Sequence, residues 1–329
     1  METVRILGTG SYVPPKVLSN IDLQKMGLDT TDEWIIQRTG VRERRIAEPD
    51  VTSADLGYEA SLKALDMAGM TAKDVDLIIL ATITPDTCCP SGANWLEAKL
   101  DAPQAVSFDV TAACSGFIFG LSVAEQYLKT GTFKNILVVA SEVMTRTLNW
   151  KDRTTCILWG DGAGAAVLSM GSEGPEILST HIHSDGENGQ DLLMPGGGSK
   201  TTPISHESVD KGLHTLNMIE ANASFRVAVR RFIESIKEAA QFNNIAVEDI
   251  SWFIPHQANL RMFQSMAKTL KIPFEKFYVT LHKYGNISSA SCAIAFDEAV
   301  RDGSIKKNDL ICLPVFGGGL TWGSALIRW

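Results

Sequence analysis

The strongest constraint on this 329-residue chain is that it echoes itself. "AEQYLKTGTFK" at 124–134 lies over "FDEAVRDGSIK" at 296–306 with a constant offset of 172 residues. "KDVDLIILAT" lies over "EDISWFIPHQ" with an offset of 175. Two matches in the same order indicate a duplicated unit. Within each copy, helical patterns alternate with short β-rich runs, which predicts an α/β fold. The copies divide into an N-terminal half, 1–172, and a C-terminal half, 173–329. The helix over "SADLGYEASLKALDMAG" takes Ser53 as its cap, and "KNILVVAS" and "DLICLPVF" read as buried strands.

The chemistry-bearing residues fall at matching places in the two halves. Cys114, in "TAACSGFIFG", opens a helix after the strand "AVSFDV". The helix macrodipole there favours thiolate, although a lone cysteine among small residues also serves as core packing. The offset of 172 carries Cys114 onto Asn286, in "KYGNISSAS". His256, in "FIPHQANLRM", ends a strand whose counterpart ends at Ala81. Because α/β sheets gather their chemistry at the C-terminal ends of strands, these three residues are expected to converge. A Cys/His/Asn set suits acyl transfer through a thioester. "FGGGLTWGSA" follows the last strand of the second half, and its glycines allow backbone N–H groups close to an oxyanion. "GDGAGAA" at 160–166 looks like a dinucleotide fingerprint, but "GAAVLSM" after it reads as a strand, so the nucleotide reading fails.

Composition narrows the class. Hydrophobic residues make up 45% and charged residues 21%, enough apolar content for a large buried core. The formal net charge of −8 argues against nucleic-acid binding. Six cysteines show no CxxC and no Cys/His ligand spacing, so neither a disulfide framework nor a metal site is expected. The N-terminus meets Gly and Pro too soon for a secretory segment, and apolar runs are too short to span a membrane, which predicts a cytoplasmic protein. In "DTTDEWIIQRTGVRERR", Thr30 and Glu33 have capping-box spacing, and Trp34 and Arg38 share a helix face able to hold a flat ring. Arg226, Arg230, Arg231, Arg261 and Lys268 form a basic region that is either a solvated face or a dock for an acidic protein.

The motifs "GTGSYVPP", "TTDEWIIQRTGVRER", "DVTAACSGF", "GDGAGAAVL", "PHQANLRM", "YGNISSAS" and "FGGGLTWGSALIRW" together resemble the 3-oxoacyl-[acyl-carrier-protein] synthase III family over nearly the whole chain. The resemblance implies a thiolase-like fold, with the duplicated halves forming a five-layer αβαβα sandwich, and a homodimer. It implies a ping-pong decarboxylative Claisen condensation of a short acyl-CoA with malonyl-acyl-carrier protein, with no cofactor beyond the acyl-CoA substrate. Cys114 would be the nucleophile, and His256 and Asn286 would stabilise the enolate. The N–H groups of Cys114 and Gly318 would form the oxyanion hole. The CoA site would fall on Thr30, Trp34, Arg38, Arg153, Asn222, Phe225, Ala258 and Asn259, with Trp34 and Arg38 sandwiching the adenine. Arg226, Arg261 and Lys268 would meet the carrier protein. Phe316 would pack beside His256 and Asn286. Cys89, reaching across the dimer, and Trp159 would set the acyl pocket; acetyl or another short primer is expected. Competing readings are a secondary-metabolite condensing enzyme of the same fold, a cysteine hydrolase and a non-catalytic scaffold.

Overall fold

The computed structural model describes residues 2–190, 192–199, 203–218 and 221–329, and leaves the side chains of 188 and 221–224 undescribed. Nine strands carry the fold. The first half supplies β1 (Thr3–Tyr12), β2 (Leu77–Ala81), β3 (Val106–Val110), β4 (Asn135–Val143) and β5 (Asp161–Gly171). The second supplies β6 (Glu176–Ser184), β7 (Trp252–Phe253), β8 (Leu310–Gly317) and β9 (Thr321–Arg328). Their order, β7-β8-β9-β6-β1-β5-β4-β2-β3, is one pattern used twice. β2 is parallel to β3 and β4, while β4, β5 and β1 are antiparallel neighbours. Likewise β7 is parallel to β8, and β8, β9 and β6 are antiparallel neighbours. Among the described residues the two sets join edge to edge at the pair Arg5–Glu176, beside which the Ile6 N–H donates to Pro175 O at 2.9 Å. "GAAVLSM" lies in β5, as its β-rich pattern predicts.

Seven helices complete the layers: α1 (Asp32–Thr39), α2 (Ser53–Ala68), α3 (Gly92–Leu100), α4 (Gly116–Lys129), α5 (Ala221–Phe242), α6 (Leu260–Leu270) and α7 (Ala290–Arg301). α2 and α3 cover the outer face of the first sheet, and α5 with α6 covers the second. α4 and α7 lie between the sheets, and their apolar side chains join residues of both sheets in one core. Nearly every residue of α7 is buried, as expected of a helix with no solvent face. This is the αβαβα sandwich. Close packing fixes small residues in it: a Cβ on Gly164 of β5 would lie 2.5 Å from the Cβ of Ala293 in α7.

Caps shift by one residue from the sequence reading. Thr52, not Ser53, caps α2 in a capping box with Asp55. Thr31, not Thr30, caps α1 by accepting the Trp34 N–H. In both cases the threonine has the extended backbone that an N-cap requires.

The duplication also has a different register at the site. Ala113 and Ser288 share a left-handed backbone, each with φ 46°, just ahead of α4 and α7. The offset of 175 that aligns β2 with β7 superposes these two kinks. Ser289, not Asn286, is then the counterpart of Cys114, and Asn286 matches Thr111. The offset of 172 holds only at the helix ends, where Gly131 and Gly303 both adopt positive φ. The intervening three residues correspond to roughly one helical turn lost from α7.

Candidate active site

Cys114 lies on a single 3₁₀ turn, Ala113–Ser115, that runs into α4. The left-handed Ala113 makes an elbow there, and Cys114 beyond it lines a cavity. The end of β8 presses against this turn: a Cβ on Gly317 would lie 2.7 Å from the Cys114 nitrogen, so only glycine permits the approach. Although a helix N-terminus favours thiolate, burial dominates and pushes the Cys114 thiol up to about 12. The expected depression of its pKa is therefore not seen. The Ser288 hydroxyl acts against that rise, while the Glu142 carboxylate adds to it.

His256 follows β7, and its backbone N–H donates to Pro314 O at 3.0 Å, holding it beside β8. Gln257 anchors the same segment: its Oε1 accepts the N–H groups of Thr280 (2.9 Å) and Leu281 (3.1 Å). The imidazole is buried, its Nδ1 has no partner, and desolvation depresses its pKa to about 3. It is therefore neutral near pH 7 and can donate from one ring nitrogen. Asn286 is strapped to the chain around Trp159: its N–H donates to Leu158 O at 2.8 Å, and its carbonyl accepts from Gly160 N at 3.0 Å. Its side-chain Oδ1 accepts the Ser288 N–H at 2.8 Å, which assigns the amide and leaves Nδ2 as a donor.

Cys114, His256 and Asn286 line one cavity of about 110 Å³, together with Trp159, Phe225, Ala258, Phe316 and Gly318. Leu192, Met218, Phe232 and Met262 also face it, residues assigned no role from the sequence. The arrangement combines a thiol, two neutral hydrogen-bond donors and a Gly-rich strand end in an apolar enclosure. It suits an acyl thioester whose carbonyl oxygen gains negative charge.

The remaining predicted residues surround this cavity. Trp34 is half-buried, with the Arg38 guanidinium carbon 5.1 Å and that of Arg153 5.2 Å from its ring centroid. A ring held between Trp34 and Arg38 would need roughly 7 Å, two van der Waals thicknesses. Without a ligand, the exposed Arg38 guanidinium stacks on Trp34 itself. Arg153 also pairs with Asp29 at 3.0 Å, and Asn259 Nδ2 donates to Arg38 O at 3.1 Å. The Thr30 hydroxyl is buried without a partner. Arg226, Arg261 and Lys268 are exposed on α5 and α6. The Asn222 side chain lies outside the described residues. Cys89 is exposed and does not line the cavity of a single chain. Sequence reasoning missed Glu142 and Ser288 behind Cys114; a lone glutamate in the apolar run "NILVVASEV" was the available signal. Among the described residues no three His, Cys, Asp or Glu are placed to hold a metal ion, and no helix is long and apolar enough to cross a membrane.

Comparison with known proteins places these features in context. The family profile 3-oxoacyl-[acyl-carrier-protein (ACP)] synthase III matches residues 108–186, and the profile of its C-terminal part matches 240–329. A beta-ketoacyl-[acyl-carrier-protein] synthase III of Caldanaerobacter subterraneus subsp. tengcongensis is 49% identical, over 98% of this chain and 97% of the relative. The crystal structure of 3-oxoacyl-[acyl-carrier-protein] synthase III from Aquifex aeolicus matches with a TM-score of 0.90 and 40% identity, covering 99% of this chain and 100% of that one. The priming beta-ketosynthase of the R1128 polyketide biosynthetic pathway matches with a TM-score of 0.90 at 34% identity, over 99% and 96% of the two chains.

Proposed function

The chain belongs to the 3-oxoacyl-[acyl-carrier-protein] synthase III family, and from that premise we propose how its own residues carry out the initiating condensation of fatty acid synthesis. Cys114 Sγ attacks the thioester carbonyl of a short acyl-CoA, and CoA leaves. The N–H groups of Cys114 and Gly318 hold the oxyanion. Malonyl-acyl-carrier protein then enters and loses carbon dioxide. His256 and Asn286 Nδ2 donate to its thioester oxygen as the enolate forms. The carbanion attacks the acyl group on Cys114, giving 3-oxoacyl-acyl-carrier protein and the free enzyme.

The observation that carries this reading is the shared cavity, with Asn286 Oδ1 tied to Ser288 so that only a donor remains for the substrate. A neutral His256 beside it favours stabilisation by hydrogen bonding over abstraction of a proton. The pocket favours acetyl or another short primer. Trp159 supports this reading by closing the cavity beside Cys114 with a buried indole.

Trp34, Arg38, Arg153 and Asn259 form the rim where CoA would bind, with Phe225 and Ala258 along the way inward. Arg226, Arg261 and Lys268 offer an exposed basic face to an acidic carrier protein in a chain of net charge −8. A homodimer would pair the sheet edge at β3, near which Val106 and Trp95 are exposed, and would bring Cys89 of a second copy towards the acyl pocket. The halves divide at residue 172, between β5 and β6.

Intact mass spectrometry after adding acetyl-CoA tests the assignment. One acetyl group should appear on the protein and be absent from Cys114→Ser. Acylation of another cysteine would refute it. Turnover with malonyl-carrier protein should exceed that with malonyl-CoA, and a clear preference for a long-chain primer would defeat the pocket reading.

A further inference from the structure

Directly behind Cys114 the protein buries an ionisable group that the condensation just described does not use. Glu142, near the end of β4, has no solvent exposure. Its Oε2 accepts hydrogen bonds from the Thr84 hydroxyl (2.7 Å), the Ile83 N–H (3.1 Å) and the Thr82 hydroxyl (3.2 Å). Oε1 is held more lightly, by the Ser289 hydroxyl at 2.8 Å. That hydroxyl has one proton to donate and also lies 3.0 Å from Ala81 O. It can turn to the carbonyl and accept from a protonated Oε1 instead. The cage thus serves both protonation states of the carboxyl.

Ser288 stands between this carboxyl and the nucleophile. Its side chain is fully buried and close enough to Cys114 and Glu142 to lower the pKa of each, but its hydroxyl makes no aligned hydrogen bond, so a proton passing between the two groups requires that hydroxyl to turn towards each in succession. Its backbone is held at φ 46°, a strained conformation for a serine that persists only where the surroundings enforce it. The other groups facing the carboxyl are Thr82, Ile83 and Thr84 after β2 and Ser289 at the start of α7. Cys114 is the one titratable side chain among these neighbours, and no ion pair reaches Glu142 among the described residues.

We propose that Glu142, acting through Ser288, stores the Cys114 proton between the two halves of the reaction. In the first half the thiol proton passes to Ser288 Oγ as the serine proton moves to the carboxylate. The sulfur then bonds to the acyl carbon, the bond from that carbon to CoA breaks, and the CoA thiolate is protonated by solvent. In the second half the carbanion attacks the acyl carbon and the bond to Cys114 breaks. The departing thiolate recovers its proton from Ser288, which is refilled from Glu142. One solvent proton enters per turnover and ends on CoA. Burial makes such a store useful: it holds the Cys114 thiol at about 12, far from spontaneous ionisation near pH 7, and keeps the Glu142 carboxyl above the usual carboxylate range.

The proposal rests on Cys114 as the acylated thiol, and the test separates the two. Single-turnover acylation by acetyl-CoA is followed by intact mass from about pH 6.5 to about 9 in the full chain, its Glu142→Gln variant and its Ser288→Gly variant. Glycine adopts the left-handed backbone without strain, so Ser288→Gly removes the hydroxyl and keeps the bond to Asn286. Both variants should acylate about 10²-fold more slowly at pH 7, with rates rising about tenfold per pH unit, while the unaltered enzyme levels off once Glu142 is ionised. A folded variant within about threefold of the unaltered rate at pH 7 would overturn the proposal. So would a slower variant whose pH profile parallels the unaltered one, since that is a purely structural effect. If Glu142→Gln fails to fold, Ser288→Gly decides alone. Failure of the unaltered enzyme to acylate at Cys114 would instead reject the reading of the site.

Discussion

An alanine at position 317 would put a methyl group against the backbone that carries the nucleophile. Its Cβ would lie 2.7 Å from the Cys114 nitrogen, 3.1 Å from the Ser115 nitrogen and 3.2 Å from the Cys114 Cα. Comfortable contact begins near about 3.5 Å, so the closest approach is short by about 0.8 Å. All three neighbours are backbone, and no side chain can rotate away; the turn at Cys114 or the end of β8 must move. Overpacking of this kind costs about 1–3 kcal/mol. With an unfolding entropy of roughly 2.1 cal/mol/K per residue, that lowers Tm by about 1 to 4 °C in a chain this long. The functional cost is larger. A displacement approaching 1 Å at an oxyanion donor slows the step it serves by about 10²-fold. Gly317→Ala should therefore remain folded, bind acyl-CoA almost unchanged, and acylate Cys114 about 10²-fold more slowly. Rapid-quench intact mass gives the acylation rate over a range of acetyl-CoA concentrations, and a thermal melt gives the stability. An alanine variant with the expected loss of Tm but an acylation rate within about threefold of the parent would refute the argument, because the N–H at Cys114 would then tolerate displacement.

Other perturbations separate the remaining roles. Asn286→Ala should still accept an acetyl group but lose about 10²–10³-fold in malonyl decarboxylation, measured as carbon dioxide release. Trp159→Phe should widen the primer pocket, raising the ratio of kcat/KM for butyryl-CoA over acetyl-CoA by about tenfold; an unchanged ratio would remove Trp159 from the pocket wall. His256 has a pKa of about 3 when folded, below its unfolded value of 6.5, so the unfolded chain binds more protons between those limits. Its contribution to stability is present above pH 6.5 and is lost as pH falls towards 3. His256→Gln should therefore lose less Tm than the parent between about pH 7 and about pH 4.5.

The duplicated halves and the alternating α/β pattern were legible because each is written in residues close in sequence or at a repeated spacing; Cys114, His256 and Asn286 were legible through their local motifs at element ends, although the spacing that paired Cys114 with Asn286 is not the register of the fold. The strand after "GDG" was legible for the same reason, since a β-rich run outweighed a superficial fingerprint. What escaped depended on backbone angles. Thr52 and Thr31 cap their helices because they are the last extended residues, a distinction of one position that two adjacent hydroxyl residues conceal. The register at Cys114 followed the left-handed kinks at Ala113 and Ser288, which neither alanine nor serine advertises. Likewise, the shared helix face of Trp34 and Arg38 was readable, whereas their direct contact at 5.1 Å was not. Glu142 was visible as a misfit in an apolar run, but its neighbours come from three separate segments brought together only by the fold.

The two helices between the sheets have a consequence for how the chain can be handled. Both bury their apolar side chains among residues of the two sheets, so neither half possesses a finished surface of its own. A fragment ending at residue 172 would expose the inward faces of β1, β4 and α4 to water, and one beginning there would leave α7 bare. Expressed apart, such pieces should aggregate; produced together, they should find each other as a split protein does. The boundary that the repeat marks in the sequence is therefore not a place where the folded molecule can come apart.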